Sequence, residues 1–307
     1  MAQKTPVAVA VIVVTFNSHG HVDGFADSLR QSQVDGPLRL VVVDNASTDG
    51  TLGRFREAIP DLNGIPTTLV DTGRNAGYAA GMNAGIAVAA ESDYVLLLNP
   101  DIRLEPSTIR NLLHEARASG AGIVVPRLRD ADGSLRLSMR REPSVLRAWG
   151  EALLGGRLAG RYPRLGEMET RRVLYDGIAE PDWATGAAML ISRACCSAVG
   201  RWDESFFLYS EETDFALRAR DAGFPLRFTP AAEAVHFEGD SHQSRALYSL
   251  LVRNRVKLYR SRHSGASTLL FRAGVFVGVA LRAADPTRRA AALALLGRTS
   301  LVAGPTS

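Results

Sequence analysis

Three apolar runs near the N-terminus give way to polar side chains at their carboxyl ends: Thr15-Phe16-Asn17, Asp44-Asn45 and Asn99-Pro100-Asp101. Carboxylates stand at two of the three ends. A carboxylate so placed can hold a divalent cation, and the cation can hold a diphosphate, because hard cations choose oxygen ligands. Without a metal, Asp101 beside a phosphate is repelled by roughly 4 kcal/mol per charge pair at ~4 Å and an effective dielectric of about 20. Turn chemistry alone would explain polar strand ends. It does not explain two acids among three.

A second group lies further along. Ser210-Glu211-Glu212-Thr213-Asp214 puts three acids into one helical turn. Anions are favoured at a helix N-terminus on electrostatic grounds alone. A glutamate is also ionised at pH 7, as a general base must be. The aromatic and apolar stretch Phe206-Phe207-Leu208-Tyr209 leads into it and could exclude water. His236 follows an apolar run and reads either as a structural histidine or as a ligand to a metal or phosphate. His242 reads as exposed. Gly77, Gly81 and Gly85 recur at every fourth position, which is not the G-x-G-x-x-G dinucleotide pattern. Gly81 and Gly85 suit close packing of a helix on a sheet, while Asn75 and Gly77 can turn backbone N–H groups towards a phosphate.

Strands alternating with helices must position these residues. Residues 7–14, 38–43 and 94–98 read as buried strands and 67–70 as a shorter one; 21–31, 51–58 and 76–90 read as helices. Such alternation implies βαβ units and a mostly parallel sheet covered on both faces. Open α/β sheets bind ligands at the carboxyl ends of their strands, so the three polar endings should meet in one crevice. From residue 127 to 172 the pattern loosens and arginines accumulate, which reads as an excursion over the mouth of the sheet, with a short helix over 144–154. Residues 184–192 are again apolar. A helix over 211–222 is well marked: Ser210 can cap it, acids fill its first turn, Gly223 follows it and Pro225 lies beyond. No internal repeat is present.

Composition narrows the classes. The chain has 307 residues, 46% apolar and 22% charged, ample for a buried core and far from a disordered composition. Cys195 and Cys196 are adjacent and form no disulfide framework, as in a reducing compartment. The net charge of +4 is a small excess of arginine, and no zinc spacing or dense basic stripe points to nucleic acid. Lys4 and the run over 7–14 imitate a signal peptide, but Thr15-Phe16-Asn17 replaces the cleavage site, so a strand in a protein that is not secreted is expected. Neither a P-loop nor a G-x-S-x-G elbow occurs.

Six segments, VVTFN, VVDNASTDGT, RNAGYAAGMNAGI, VLLLNPDI, WATGAAMLISR and FFLYSEETDFALRARDAGF, stand in the order found in family 2 inverting glycosyltransferases of the GT-A fold. The chain resembles that family from about residue 7 to 260, and within it is similar to bacterial rhamnosyltransferase-like enzymes of cell-wall and polysaccharide assembly. The resemblance implies an α/β GT-A fold, a mostly parallel central sheet flanked by helices with a helical C-terminal tail. It implies a catalytic domain over 1–262, with an acceptor-side excursion over 127–182, and a tail over 263–307. Thr15 and Asp44 match positions that hold the base and ribose of a nucleotide donor, with Asn17 and Gly77 beside them. Arg74 and Asn75 match the loop next to the nucleotide. Asn99 and Asp101 stand where the family carries its D-x-D motif. Asp101 is then the Mg²⁺ or Mn²⁺ and diphosphate ligand, and Asn99 a weaker substitute for the first acid. His236 matches a late histidine that helps hold the metal or the diphosphate. The family's base is usually the Asp of a Glu-Asp pair. Here Glu212 takes that place with one more methylene, and a displacement of about 1 Å can cost on the order of 10²-fold in rate. Either the backbone compensates or Glu211 does the work. Glu212 is the expected base, and Asp214 a brace.

The implied reaction is transfer of a sugar, in the first instance L-rhamnose from dTDP-rhamnose, to a hydroxyl of a glycan or polyprenyl-diphosphate-linked glycan. A UDP-sugar carrying galactofuranose or an N-acetylhexosamine is the alternative. A sugar-nucleotide-binding protein without turnover is kept open by Asn99 and Glu212. A nucleotidyltransferase would need a glycine-rich basic loop where Thr15-Phe16-Asn17-Ser18-His19 stands. The tail pairs apolar blocks, 269–281 and 290–296, with Arg272, Arg282, Arg288 and Arg289. It reads as a helix packed on the domain, a contact in a homodimer, or a membrane-surface segment. The last would make the protein cytoplasmic and peripheral at the inner face of the membrane.

Overall fold

The computed structural model describes residues 7–237 and 244–297. Lys4, His242 and residues 238–241 lie outside the described residues. Two compact units divide the rest: 7–138, 173–207 and 211–237 form the first, and 139–172, 208–210 and 244–297 the second.

The first unit opens with β1 (Val9–Thr15), α1 (Val22–Arg30), β2 (Leu38–Asp44), α2 (Thr51–Ala58), β3 (Thr67–Asp71), α3 (Tyr78–Val88) and β4 (Tyr94–Leu98). After these come β5 (Ile102–Leu104), α4 (Thr108–Ser119), β6 (Ile123–Asp130) and β7 (Leu135–Arg136). The second unit then contributes β8 (Met139–Arg140), α5 (Val145–Leu154) and α6 (Gly156–Ala159). The chain returns to the first unit with β9 (Trp183–Ala184), β10 (Ala188–Ser192), α7 (Arg193–Val199), α8 (Glu211–Asp221) and β11 (Leu226–His236). It ends in the second with α9 (Arg245–Arg262), α10 (Gly265–Ala280) and α11 (Pro286–Leu295).

The central sheet runs in the order β3-β2-β1-β4-β10-β6-β11-β5, with β7 on β6. β3, β2, β1 and β4 are parallel neighbours, as are β6 and β11. β1 is buried along its whole length because its β-branched residues serve both faces. Val9, Val11 and Val13 join the core under α1, α2 and α4. On the other face α3 lies against Ile12 and Val14. A Cβ at Gly81 would come within 2.6 Å of Val14 Cγ1, and one at Gly85 would overlap Ile12 Cγ2. The four-residue glycine spacing is thus a packing device, as expected. The loop after α7 is tied to α3 by Asn83, which donates to the Trp202 carbonyl at 3.0 Å and accepts from its N–H at 2.9 Å. Trp202 stacks on Phe215 of α8 at 4.6 Å.

The change of pattern expected at residue 127 falls inside β6. Arg127, Leu128, Arg129 and Asp130 continue the strand, with Leu128 buried and both arginines paired with Glu233 of β11. Ser210 precedes α8 with φ 76°, in the left-handed region and not the extended one usual for a capping serine.

In the second unit the tail helices pack with α5 and α9 around Tyr259, Phe271, Val275, Val279 and Leu295. Arg255 of α9 reaches Glu167 at 2.6 Å and Glu151 at 3.1 Å. Burial works against the Arg255 charge, but the two carboxylates outweigh it and push the guanidinium up. Glu167 is raised by burial, with Arg255 opposing. No described helix is long and apolar enough to cross a membrane.

Candidate active site

The register of the sheet brings the three strand endings together. Thr15 lies opposite Asp44, and Val13 opposite Leu98, so the ends of β2, β1 and β4 are adjacent. Asp44 is 2% exposed, yet its carboxylate is satisfied. Thr15 Oγ1 donates to Oδ1 at 2.9 Å, Ser47 Oγ to the same oxygen at 2.6 Å, and Ser47 N–H to Oδ2 at 2.9 Å. Asn17, at φ 50°, closes the neighbouring loop: its N–H donates to Ser47 Oγ and its Oδ1 accepts from Thr48 N–H, both at 2.8 Å. Asn45 carries the strand end across to α3 by donating to the Gly77 carbonyl at 3.0 Å, and Thr72 Oγ1 lies 3.2 Å from Asn45 Oδ1. Neither Asn45 nor Thr72 stands out as a bridge in sequence, because each is one polar residue in a polar loop.

Arg74 is exposed, and its carbonyl accepts from Thr72 Oγ1 at 2.8 Å. Gly77 adopts φ 92°, and a Cβ there would overlap the Phe207 carbonyl. That same carbonyl accepts from Tyr78 N–H at 2.9 Å. The Gly77 N–H is donated to Asn75 Oδ1 at 3.1 Å, closing the turn on itself. Gly77 shapes the turn that starts α3, beside the loop of Arg74 and Asn75.

At the end of β4, Asn99 Oδ1 accepts from the Tyr78 hydroxyl at 3.0 Å, and the Gly186 carbonyl lies 3.5 Å from that hydroxyl. Burial pushes the Tyr78 phenol well above its ordinary value, and the charges of Glu211, Glu212 and Asp101 push it the same way. One half-buried phenol therefore feels the acids of both motifs. Asp101 is buried, and His236 Nε2 lies 3.0 Å from its Oδ2. β11 pairs antiparallel with β5 so that His236 lies opposite Ile102, beside Asp101. Phe237 N–H extends the contact to the Asp101 carbonyl at 3.0 Å. Arg103 fixes the following turn by donating to the Pro100 carbonyl at 3.0 Å.

Glu211 and Glu212 begin α8 but differ in environment. Glu211 is 3% exposed, whereas Glu212 is partly exposed. A Cβ at Gly186 would sit 3.1 Å from Glu212 Cβ, so the glycine gives Glu212 its place next to Tyr78 and Asn99. Asp214 accepts from Arg218 Nε at 2.7 Å one turn on, and Arg218 also donates to the Val199 carbonyl at 2.8 Å. Asp214 is thus a brace within the first unit.

Among the described residues no cluster of three or more His, Cys, Asp and Glu side chains is placed to hold a metal alone. Asp101 and His236 offer two donors, and the buried His236 Nδ1 has no hydrogen-bond partner among the described residues. A two-donor set suits Mg²⁺ or Mn²⁺, which take few protein ligands and fill the rest from phosphate and water.

The glycosyl transferase family 2 profile matches residues 10–183, the segment that carries all three strand ends and Tyr78. The chain belongs to glycosyltransferase family 2. This glycosyltransferase is 32% identical over 242 residues to N-acetylglucosaminyl-diphospho-decaprenol L-rhamnosyltransferase of Mycobacterium tuberculosis, covering 75% of this chain and 76% of the relative. It is 26% identical over 259 residues to rhamnosyltransferase WbbL of Escherichia coli, covering 81% and 90%. Its fold is that of the mannosyltransferase PcManGT from Pyrobaculum calidifontis, solved with GDP-Man and Mn²⁺. The TM-score is 0.59 at 18% identity, over 97% of this chain and 77% of that one. GalNAc-T7, solved with UDP, GalNAc and Mn²⁺, superposes with a TM-score of 0.61 at 14% identity, over 83% and 48%.

Proposed function

We propose that this glycosyltransferase moves L-rhamnose from dTDP-rhamnose to a hydroxyl of a polyprenyl-diphosphate-linked glycan, with inversion, at the cytoplasmic face of the membrane. The donor sugar and acceptor class rest on the two rhamnosyltransferase relatives, one of them named for a lipid-linked substrate. The geometric observation that carries the chemistry is the Tyr78 hydroxyl, which donates to Asn99 Oδ1 at 3.0 Å at the end of β4 and whose pKa is raised by burial and by the charges of Glu211, Glu212 and Asp101.

The nucleotide lies across the ends of β2, β1 and β4, with Thr15 and Asp44 at its base and ribose and Arg74 and Asn75 alongside. Asp101 and His236 hold a divalent cation, which when bound neutralises the departing diphosphate. Asn99, held by Tyr78, lines the same strand end. Glu212 takes the proton of the acceptor hydroxyl, whose oxygen attacks the anomeric carbon from the face opposite the leaving group. The new C–O bond forms as the bond to the diphosphate breaks. Glu212 is the better base than Glu211 because a base must reach the acceptor, and Glu211 is buried. Acceptor recognition is assigned to the stretch from residue 127 to 182.

Transfer from dTDP-rhamnose to a polyprenyl-diphosphate acceptor tests this reading. Glu212→Gln should lower turnover by about 10²–10⁴-fold while donor affinity stays within about twofold of wild type. Near-normal turnover would remove Glu212 from the role. Turnover of a UDP-sugar in preference would keep the reaction and change the sugar.

A further inference from the structure

The second unit is far more basic than the first. Its described residues hold 18 Lys and Arg against 5 Asp and Glu, a net +13, while the first unit holds 16 against 25, a net −9. Arginines of the unit already pair with every one of its described acids: Glu142 with Arg262, Glu151 and Glu167 with Arg255, Glu169 with Arg141 and Arg171, Asp285 with Arg288. Cations of the unit outnumber its described acids by more than three to one.

One corner combines that charge with exposed apolar side chains. Where α5 ends and α6 turns, Leu153, Leu154, Leu158 and Tyr162 are 66%, 43%, 44% and 53% exposed. Arg157, Arg161 and Arg164 stand exposed among them. α10 runs beside α5 in the same direction, with Gly274 against Ala148 and Gly278 against Ala152. Arg282 donates to the Ala152 carbonyl at 2.9 Å, which brings Leu281, 64% exposed, to the same end. Phe271, Val275 and Val279 of the tail are buried in the unit's own core, so they are not available to a membrane.

We propose that this corner docks the enzyme on an anionic lipid surface. The leucines and Tyr162 enter the boundary between head groups and acyl chains, and the arginines meet lipid phosphates. A two-fold contact of this corner with the same corner of a second copy would set +13 against +13, which is repulsive. Nucleic acid would leave the leucines without a partner, since its binding sites combine cations with stacking aromatics. The biological sense of the docking rests on the lipid-linked acceptor proposed above. Lipid binding is measured without donor or acceptor, and transfer to a soluble acceptor analogue without lipid, so either reading can fail alone.

The test is flotation of the full chain with vesicles of phosphatidylglycerol and phosphatidylethanolamine in equal parts, against phosphatidylcholine alone. Wild type should float with the anionic vesicles only. R157S/R161S/R164S should weaken that binding roughly 100-fold, and L153S/L154S/L158S roughly tenfold or more. R245S/R260S/R289S, which removes as much exposed charge elsewhere in the unit, should weaken it much less. All these side chains are exposed, so unchanged melting temperatures are expected. Failure to float, equal damage from the control triple, or a leucine variant that floats like wild type would overturn the proposal. So would a leucine variant that turns a dimer into a monomer with flotation unchanged, or one that leaves equally tight binding to duplex DNA unaffected.

Discussion

The Tyr78 hydroxyl donates a hydrogen bond to Asn99 Oδ1, so the asparagine at the end of β4 is held by a phenol. Its raised pKa keeps the hydroxyl proton in place well beyond the ordinary tyrosine value of about 10. The folded protein therefore holds a proton that the unfolded chain loses above about pH 10, and the stability it contributes is lost as pH rises from there. Tyr78→Phe should destabilise the protein by about 1 kcal/mol at pH 7 and flatten part of the fall in melting temperature above about pH 10. An unchanged alkaline limb would contradict the assignment. Asp44 and Asp101 were legible in the sequence because an acid ending a buried apolar run is costly without a purpose. Tyr78 was not, because an aromatic residue opening a glycine- and alanine-rich helix has an ordinary packing role. Between Glu211 and Glu212 the sequence favours Glu212 by its match to the family's base position alone; the difference in their burial appears only in the fold.

At the scale of elements, continuous apolar runs mark β1, β2 and β4 nearly to the residue, because parallel strands are buried on both faces. β6 and β11 are harder. Arginine alternates with leucine in one, and Pro230 and a register shift interrupt the other, so neither shows a clean apolar run. The fit of α3 on β1 predicts that Gly85→Leu, which places a side chain against Ile12, costs about 1–3 kcal/mol and lowers the melting temperature. In the second unit, Arg255→Met leaves Glu151 and Glu167 together without their shared cation and should cost about 3–5 kcal/mol. Double replacement of those acids by Gln in the Arg255→Met background should recover much of it. Denaturant unfolding measures both.

Over the whole molecule, a net charge of +4 conceals units of +13 and −9. Sequence alone reads a mild arginine excess, because the basic unit is assembled from segments about seventy residues apart and only the fold adds them together. Binding to anionic vesicles should therefore fall steeply as salt rises from about 0.01 to 1 M, where the screening length drops from about 30 to 3 Å. Donor binding at the proposed site, which would rest on close-range ionic and hydrogen-bonded contacts, should fall less. The most direct test of the central claim, a metal-assisted nucleotide-diphosphate site at the ends of β2, β1 and β4, is a calorimetric titration of dTDP with and without Mn²⁺ on wild type and Asp101→Ala. Metal-dependent binding to wild type that disappears in Asp101→Ala is the predicted result. Binding that ignores the metal, or survives the loss of Asp101 unchanged, would contradict it.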